Sequence, residues 1–105
     1  MGYQTLEKKS QAQLARHIRF VAKSSAAVFF SDHANVQMRK RKVSSVEVLA
    51  CLREGTIRRV PEPNIKKGNL ECRMERYVAG RELAVIVALS DEDPDVLVVT
   101  VFNVG

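Results

Sequence analysis

The final third of this 105-residue chain reads as strands, and that constrains how everything before it must pack. From Leu70 to Val78 the residues alternate, with Leu70, Cys72, Met74, Arg76 and Val78 on one side and Glu71, Arg73, Glu75 and Tyr77 on the other, which is the period of a half-buried strand. Ala79-Gly80 marks a turn. Leu83 to Leu89 is apolar at every position, as expected of a strand covered on both faces. Val96 to Val104 is dominated by β-branched residues around Thr100, and the intervening D-E-D-P-D predicts a hairpin loop. A meander of this kind needs an apolar layer on at least one face.

Helices upstream supply that layer. Between Thr5 and Lys23 the apolar residues Leu14, Ala15, Ile18, Val21 and Ala22 fall on one helical face, opposite Arg16, Arg19 and Lys23. Ala26 to Phe30 leans toward β structure. Ser31-Asp32 then offers N-cap oxygens for a helix over 32–41, and Ser44 with Glu47 has the capping-box spacing for a second helix over 45–54, which Gly55 closes as a left-handed stop. Thr56 to Val60 is expected to be extended, and the P-E-P-N run from Pro61 to Asn64 to exclude regular structure. The order of elements predicts an α+β domain, its N-terminal helices packed on one face of a curved antiparallel sheet of about four strands. A single domain over 1–105 is expected, with 1–25 forming a basic amphipathic N-terminal helix and 26–105 the core.

Charge is unevenly placed along the chain. The formal net charge is +5, yet residues 82–105 carry five acids and no base, whereas residues 26–81 carry twelve Lys/Arg against six acids. Such a distribution favours a polyanionic partner. Cys51 and Cys72 show no metal-ligand or C-x-x-C spacing and read as reduced core thiols. The polar N-terminus, and the absence of any run near the ~18 apolar residues of a spanning helix, predict a cytoplasmic protein without membrane attachment. Asp91, Glu92, Asp93 and Asp95 lack the spacing of a calcium loop and read as a solvated turn.

Several residues are candidates for chemistry. His33 stands in the first turn of its helix. Arg41 leaves the same helix near its buried side, among the cations Arg39, Lys40 and Lys42. Arg76 interrupts the apolar face of its strand, where a guanidinium must either meet a carboxylate or line a concave site. Thr100 is a hydroxyl in an apolar strand. Each has a plainer reading. His33 caps its helix or packs on Phe29-Phe30, Arg41 binds Glu47 or last-turn carbonyls, Arg76 pairs with Glu71, Glu75 or Glu82 across strands, and Thr100 is an ordinary β-former.

His33-Ala34, Met38, Arg41, Val43 and Ser44 resemble the H-A-x-x-R-M-x-x-R-x-I-S signature of the bacterial family known as domain of unknown function 4258. The resemblance covers about 75 residues from Phe29 onward, and the departure that matters is Gln37, which stands in place of the usual basic residue. That family is similar to RelE-like and barnase-like ribonuclease toxins. The resemblance implies a RelE-like fold, metal-independent endoribonuclease activity without a cofactor, or a degenerate relative of such an enzyme, with RNA as the target and an antitoxin protein as partner. It places His33 as proton-transfer group, Arg41 and Arg76 as phosphate binders and Thr100 as an assisting hydroxyl, with Arg39, Lys40, Lys42, Arg58 and Arg59 contacting nucleic acid. The alternative is a non-catalytic module that binds nucleic acid or a protein. The apolar side of residues 5–23 is a candidate homodimer face.

Overall fold

The computed structural model describes residues 6–104. After a short 3-10 turn, Leu6–Lys8, the described residues form α1 (Gln11–Val21), β1 (Val28–Phe30), α2 (Asp32–Arg41), α3 (Ser45–Glu54), β2 (Thr56–Ile57), β3 (Glu62–Asn64), β4 (Asn69–Val78), β5 (Arg81–Ser90) and β6 (Asp93–Asn103). The class is α+β, with three α-helices and one six-stranded open sheet ordered β1-β6-β5-β4-β2, in which β3 also pairs with β4.

The sheet is larger than the expected four strands and is not wholly antiparallel, because β1 pairs with β6 in parallel register, Val28 opposite Val96 through Phe30 opposite Val98. β3 contradicts the expectation for Pro61 to Asn64. Pro63 sits opposite Leu70 on a short outer strand, where proline's missing N–H need not reach a second neighbour. The acidic loop is also tighter than expected, since β6 already begins at Asp93 and takes in Pro94 and Asp95.

Capping chemistry explains the helix ends. Ser10 and Gln13 form a capping box, Ser10 Oγ accepting from Gln13 N at 3.1 Å and Gln13 Oε1 accepting from Ser10 N at 2.8 Å. α1 therefore starts at Gln11 rather than near Thr5, which lies outside the described residues. Ser44 and Glu47 form the second box as expected. Gly55 is not a left-handed stop: its φ of −80° and ψ of 178° are extended. Glycine is required there for space, since an added Cβ would collide with the Cys51 carbonyl oxygen and lie 2.9 Å from that of Glu75. The left-handed cap belongs instead to Lys42, at φ 54°, where Val43 N donates back to Met38 O at 2.9 Å.

Leu14, Ala15 and Ile18 of α1 with its C-cap Ala22, Val48, Cys51 and Leu52 of α3, and Met74, Leu83, Val85, Val98 and Val101 of the sheet close one core. α1 is fastened by Arg19 Nη1 donating to Gly55 O at 2.8 Å and by Arg53 Nε donating to Ala22 O at 2.6 Å. The apolar side of residues 5–23, expected as a dimer face, is thus occupied within the chain wherever it is described. Among the described residues, no helix layer covers the other face of the sheet. Ala84 is 0% exposed there because long side chains from β4 and β6 reach over it, so β5 is uniformly apolar without being sandwiched between two layers.

Candidate nucleic-acid interface

β6 and α2 build the site together. Register between β5 and β6 breaks between Ile86 and Val87, whose partners are Thr100 and Val98, leaving Val99 as the extra residue of a bulge. Its carbonyl accepts from Ser31 Oγ at 3.2 Å, while Ser31 N donates to Val98 O at 2.9 Å. The same Ser31 Oγ accepts from Ala34 N at 3.0 Å and so caps α2. One serine therefore ends β1, pins the bulge and starts the helix. Ser31, not Asp32 or His33, is the cap.

Gln37 completes the docking. Its Oε1 accepts from Val101 N at 2.9 Å, satisfying a backbone donor on β6 beyond the point where β1 stops. His33, Gln37 and Arg41 are spaced i, i+4, i+8 and share one stripe of α2. The Gln37 contact lays that stripe beside the residue next to Thr100. His33 is exposed and Arg41 half-buried, and about 12 Å of helix axis separates them, more than one phosphate group spans.

Arg81 takes the part the plainer reading gave to Arg41. It donates to the Arg41 and Lys42 carbonyls at 3.1 and 2.7 Å and meets both Glu47 carboxylate oxygens at 3.2 Å. Glu47, which also accepts from Ser44 N at 2.8 Å, is held below the ordinary carboxylate range, first by that backbone hydrogen bond and then by Arg81. Because Arg81 serves the helix end, the side chains of Arg39, Lys40, Arg41 and Lys42 stay out of it. Every ion pair among the described residues uses Arg58, Arg73, Arg76 or Arg81, so the four α2 cations have no carboxylate partner there.

Arg76 is not brought to this stripe. It lies on the helix-bearing face, opposite Leu83, where its Nη2 pairs with Glu54 Oε1 at 2.9 Å and its Nη1 donates to Glu54 O at 3.3 Å. A carboxylate at the end of α3 meets it, rather than Glu71, Glu75 or Glu82. Thr100 is on the opposite, open face, in one cross-strand row with Ile86 and Arg73. Arg58 is engaged by Glu82 at 3.1 Å and Glu75 at 3.7 Å, and Arg59 is exposed. The four residues His33, Arg41, Arg76 and Thr100 therefore do not border one hollow: His33 and Arg41 lie about two helical turns apart on α2, Thr100 is on the open face of β6, and Arg76 is tied to Glu54 on the other face.

The sequence reading passed over the open face between β4 and β6. Glu75 is the one buried charged residue among those described, at 6% exposure. Arg73 reaches from β4 across β5 to lie with its guanidinium carbon 4.7 Å from the centre of the Phe102 ring, and its Nε is 3.1 Å from Glu75 Oε2. The only available signal was a strand face that alternated Glu, Arg, Glu, opposite an all-apolar neighbour, and that pattern also describes a solvated surface. Cys51 and Cys72 are buried, and burial pushes both thiols up to about 12, so neither supplies a thiolate. Among the described residues, no group of three or more His, Cys, Asp or Glu could hold a metal ion, and no helix is long and apolar enough to cross a membrane.

These features define an α+β domain with a cationic helix seated along the edge of an open sheet. Residues 30–103 match the family model described as Domain of unknown function (DUF4258), and the chain belongs to that family. α1 lies outside the matched span. No curated protein and no solved structure matches the chain.

Proposed function

We propose that this chain binds RNA through α2, with the cations Arg39, Lys40, Arg41 and Lys42 contacting phosphates. The observation that carries this reading is that these four side chains form an unbroken cationic run with no carboxylate partner among the described residues, while Arg58, Arg73, Arg76 and Arg81 are each paired with a glutamate. Unpaired, hydrated cations release condensed counterions when they meet a polyanion, and this release drives association. RNA is named over DNA because the family resembles RelE-like ribonuclease toxins.

The resemblance to RelE-like toxins implies a second reading, that of a metal-independent endoribonuclease of that type. His33 takes the ribose 2′-hydroxyl proton, the 2′-oxygen attacks phosphorus, the bond from phosphorus to the 5′-oxygen breaks, and a proton passes to that leaving oxygen. Thr100 is the assisting hydroxyl, Arg41, about two helical turns from His33, holds a neighbouring phosphate of the same strand, and Arg76 has no part in the step. One incubation separates the two readings. Total RNA is treated with the purified chain in EDTA, beside His33→Ala. Fragments ending in cyclic phosphate, formed by wild type and lost in the variant, establish the nuclease. Retained binding with intact RNA establishes the binding module. Absence of both cleavage and binding refutes the proposal.

A further inference from the structure

Arg73 carries hydrogen-bond donors that the fold does not use. Its Nε is buried without a hydrogen bond; the 3.1 Å separation from Glu75 Oε2 fits an ion pair, but the direction of the N–H does not fit a hydrogen bond. Neither terminal nitrogen donates to a protein acceptor among the described residues. Were neutralising Glu75 its whole task, the planar fork would be expected to face that carboxylate with two parallel hydrogen bonds. The guanidinium instead crosses β5 above Ala84 and stacks on Phe102, which shares the open face with Thr100 two residues earlier.

The nearby carboxylates are already engaged. Glu75 is shared with Arg58 at 3.7 Å, Glu82 pairs with Arg58 at 3.1 Å, and Glu71 accepts from Asn64 Nδ2 at 3.3 Å. A guanidinium fixed flat by an aromatic ring, with its fork unfilled, is shaped for a planar pair of anionic oxygens. It stands on the β6 side of the sheet, toward the seam where α2 is docked.

We propose that Arg73 is a phosphate-binding residue of the open sheet face, taking a phosphodiester of single-stranded RNA that runs from the α2 cations over β6. This rests on the RNA reading above. It extends the interface from a helix to a sheet and gives Arg73 the role that the sequence suggested for Arg76.

The test uses the full chain and a short oligouridylate. Because Arg73→Gln alone leaves Glu75 buried with one partner fewer, the pair Arg73→Gln/Glu75→Gln is compared with Glu75→Gln, and Arg73→Lys keeps the charge without the fork. Loss of roughly tenfold or more in affinity, with the salt slope shallower by about 0.7 and Arg73→Lys intermediate, supports the proposal. Unchanged affinity and slope overturn it, while weakened binding by Lys40→Gln in the same series keeps the RNA reading. Should wild type fail to bind the oligonucleotide, the RNA reading falls, and titration with inorganic phosphate then decides the site. A saturable shift of the Arg73 Nε–Hε resonance supports an anion site there, and no shift overturns it.

Discussion

Replacing Gln37 by leucine is expected to destabilise the chain where helix meets strand. The substitution keeps the side chain's bulk and removes the oxygen that accepts from Val101 N at 2.9 Å. Val101 is 0% exposed, so its N–H cannot turn to water. A buried donor left without an acceptor costs about 1–3 kcal/mol, and for a domain of this size each kcal/mol lowers the melting temperature by roughly 4–8 °C. Thermal unfolding followed by circular dichroism is therefore expected to show a fall of roughly 4–24 °C. Amide exchange at Val101 is expected to quicken about tenfold or more relative to Val85, which lies opposite it on β5. Gln37→Glu retains an acceptor and is expected to lose much less. If leucine and glutamate variants melt together, within about 0.5 kcal/mol of wild type, the contact does not hold α2 in place and the seam beside Thr100 loses its basis.

Gly55→Ala is expected to be more severe, since the new methyl group meets two backbone oxygens that no rotamer change can move. A loss above about 3 kcal/mol, beyond ordinary overpacking, should appear as a lower urea midpoint, and a near-neutral result would contradict the close approach of α3 to β4. Glu47 governs an acid-side effect. Its folded-state value is depressed, so its contribution is fully present above the ordinary glutamate value near 4.3 and is lost as pH falls through the lower folded value. Urea midpoints at pH 7 and in the acid range should therefore converge for wild type and Glu47→Gln, and a constant gap would show that Glu47 acts without its charge.

Much of the architecture was legible in short-range patterns. The bounds of α2 and α3 follow from Ser31 and from the Ser44-Glu47 box, and β4 to β6 follow from alternation and β-branching. The start of α1 was equally readable in Ser10 and Gln13, although the long apolar periodicity hid it. β1 was not legible as part of the sheet, because its three residues pair with a strand nearly seventy positions later, and no local signal specifies a parallel partner. The site was legible only in part. His33 and Arg41 are linked by helix periodicity, and Gln37, noticed as a departure from the family signature, is what seats them on β6. Arg76 was recognised as needing a partner, but Glu54 lies on α3, outside any strand pattern. Arg73 was hidden because its stacking on Phe102 skips over the strand between them.

RNA binding here depends on the α2 cations meeting phosphate. The direct measurement is the salt dependence of oligouridylate binding by wild type and by Arg39→Gln, Lys40→Gln, Arg41→Gln and Lys42→Gln. Each cation that contacts a phosphate should contribute about −0.7 to the slope of log affinity against log salt, so wild type should be steep and each variant at a contact measurably shallower. A flat wild-type slope, or variants that reproduce the wild-type line, would contradict it.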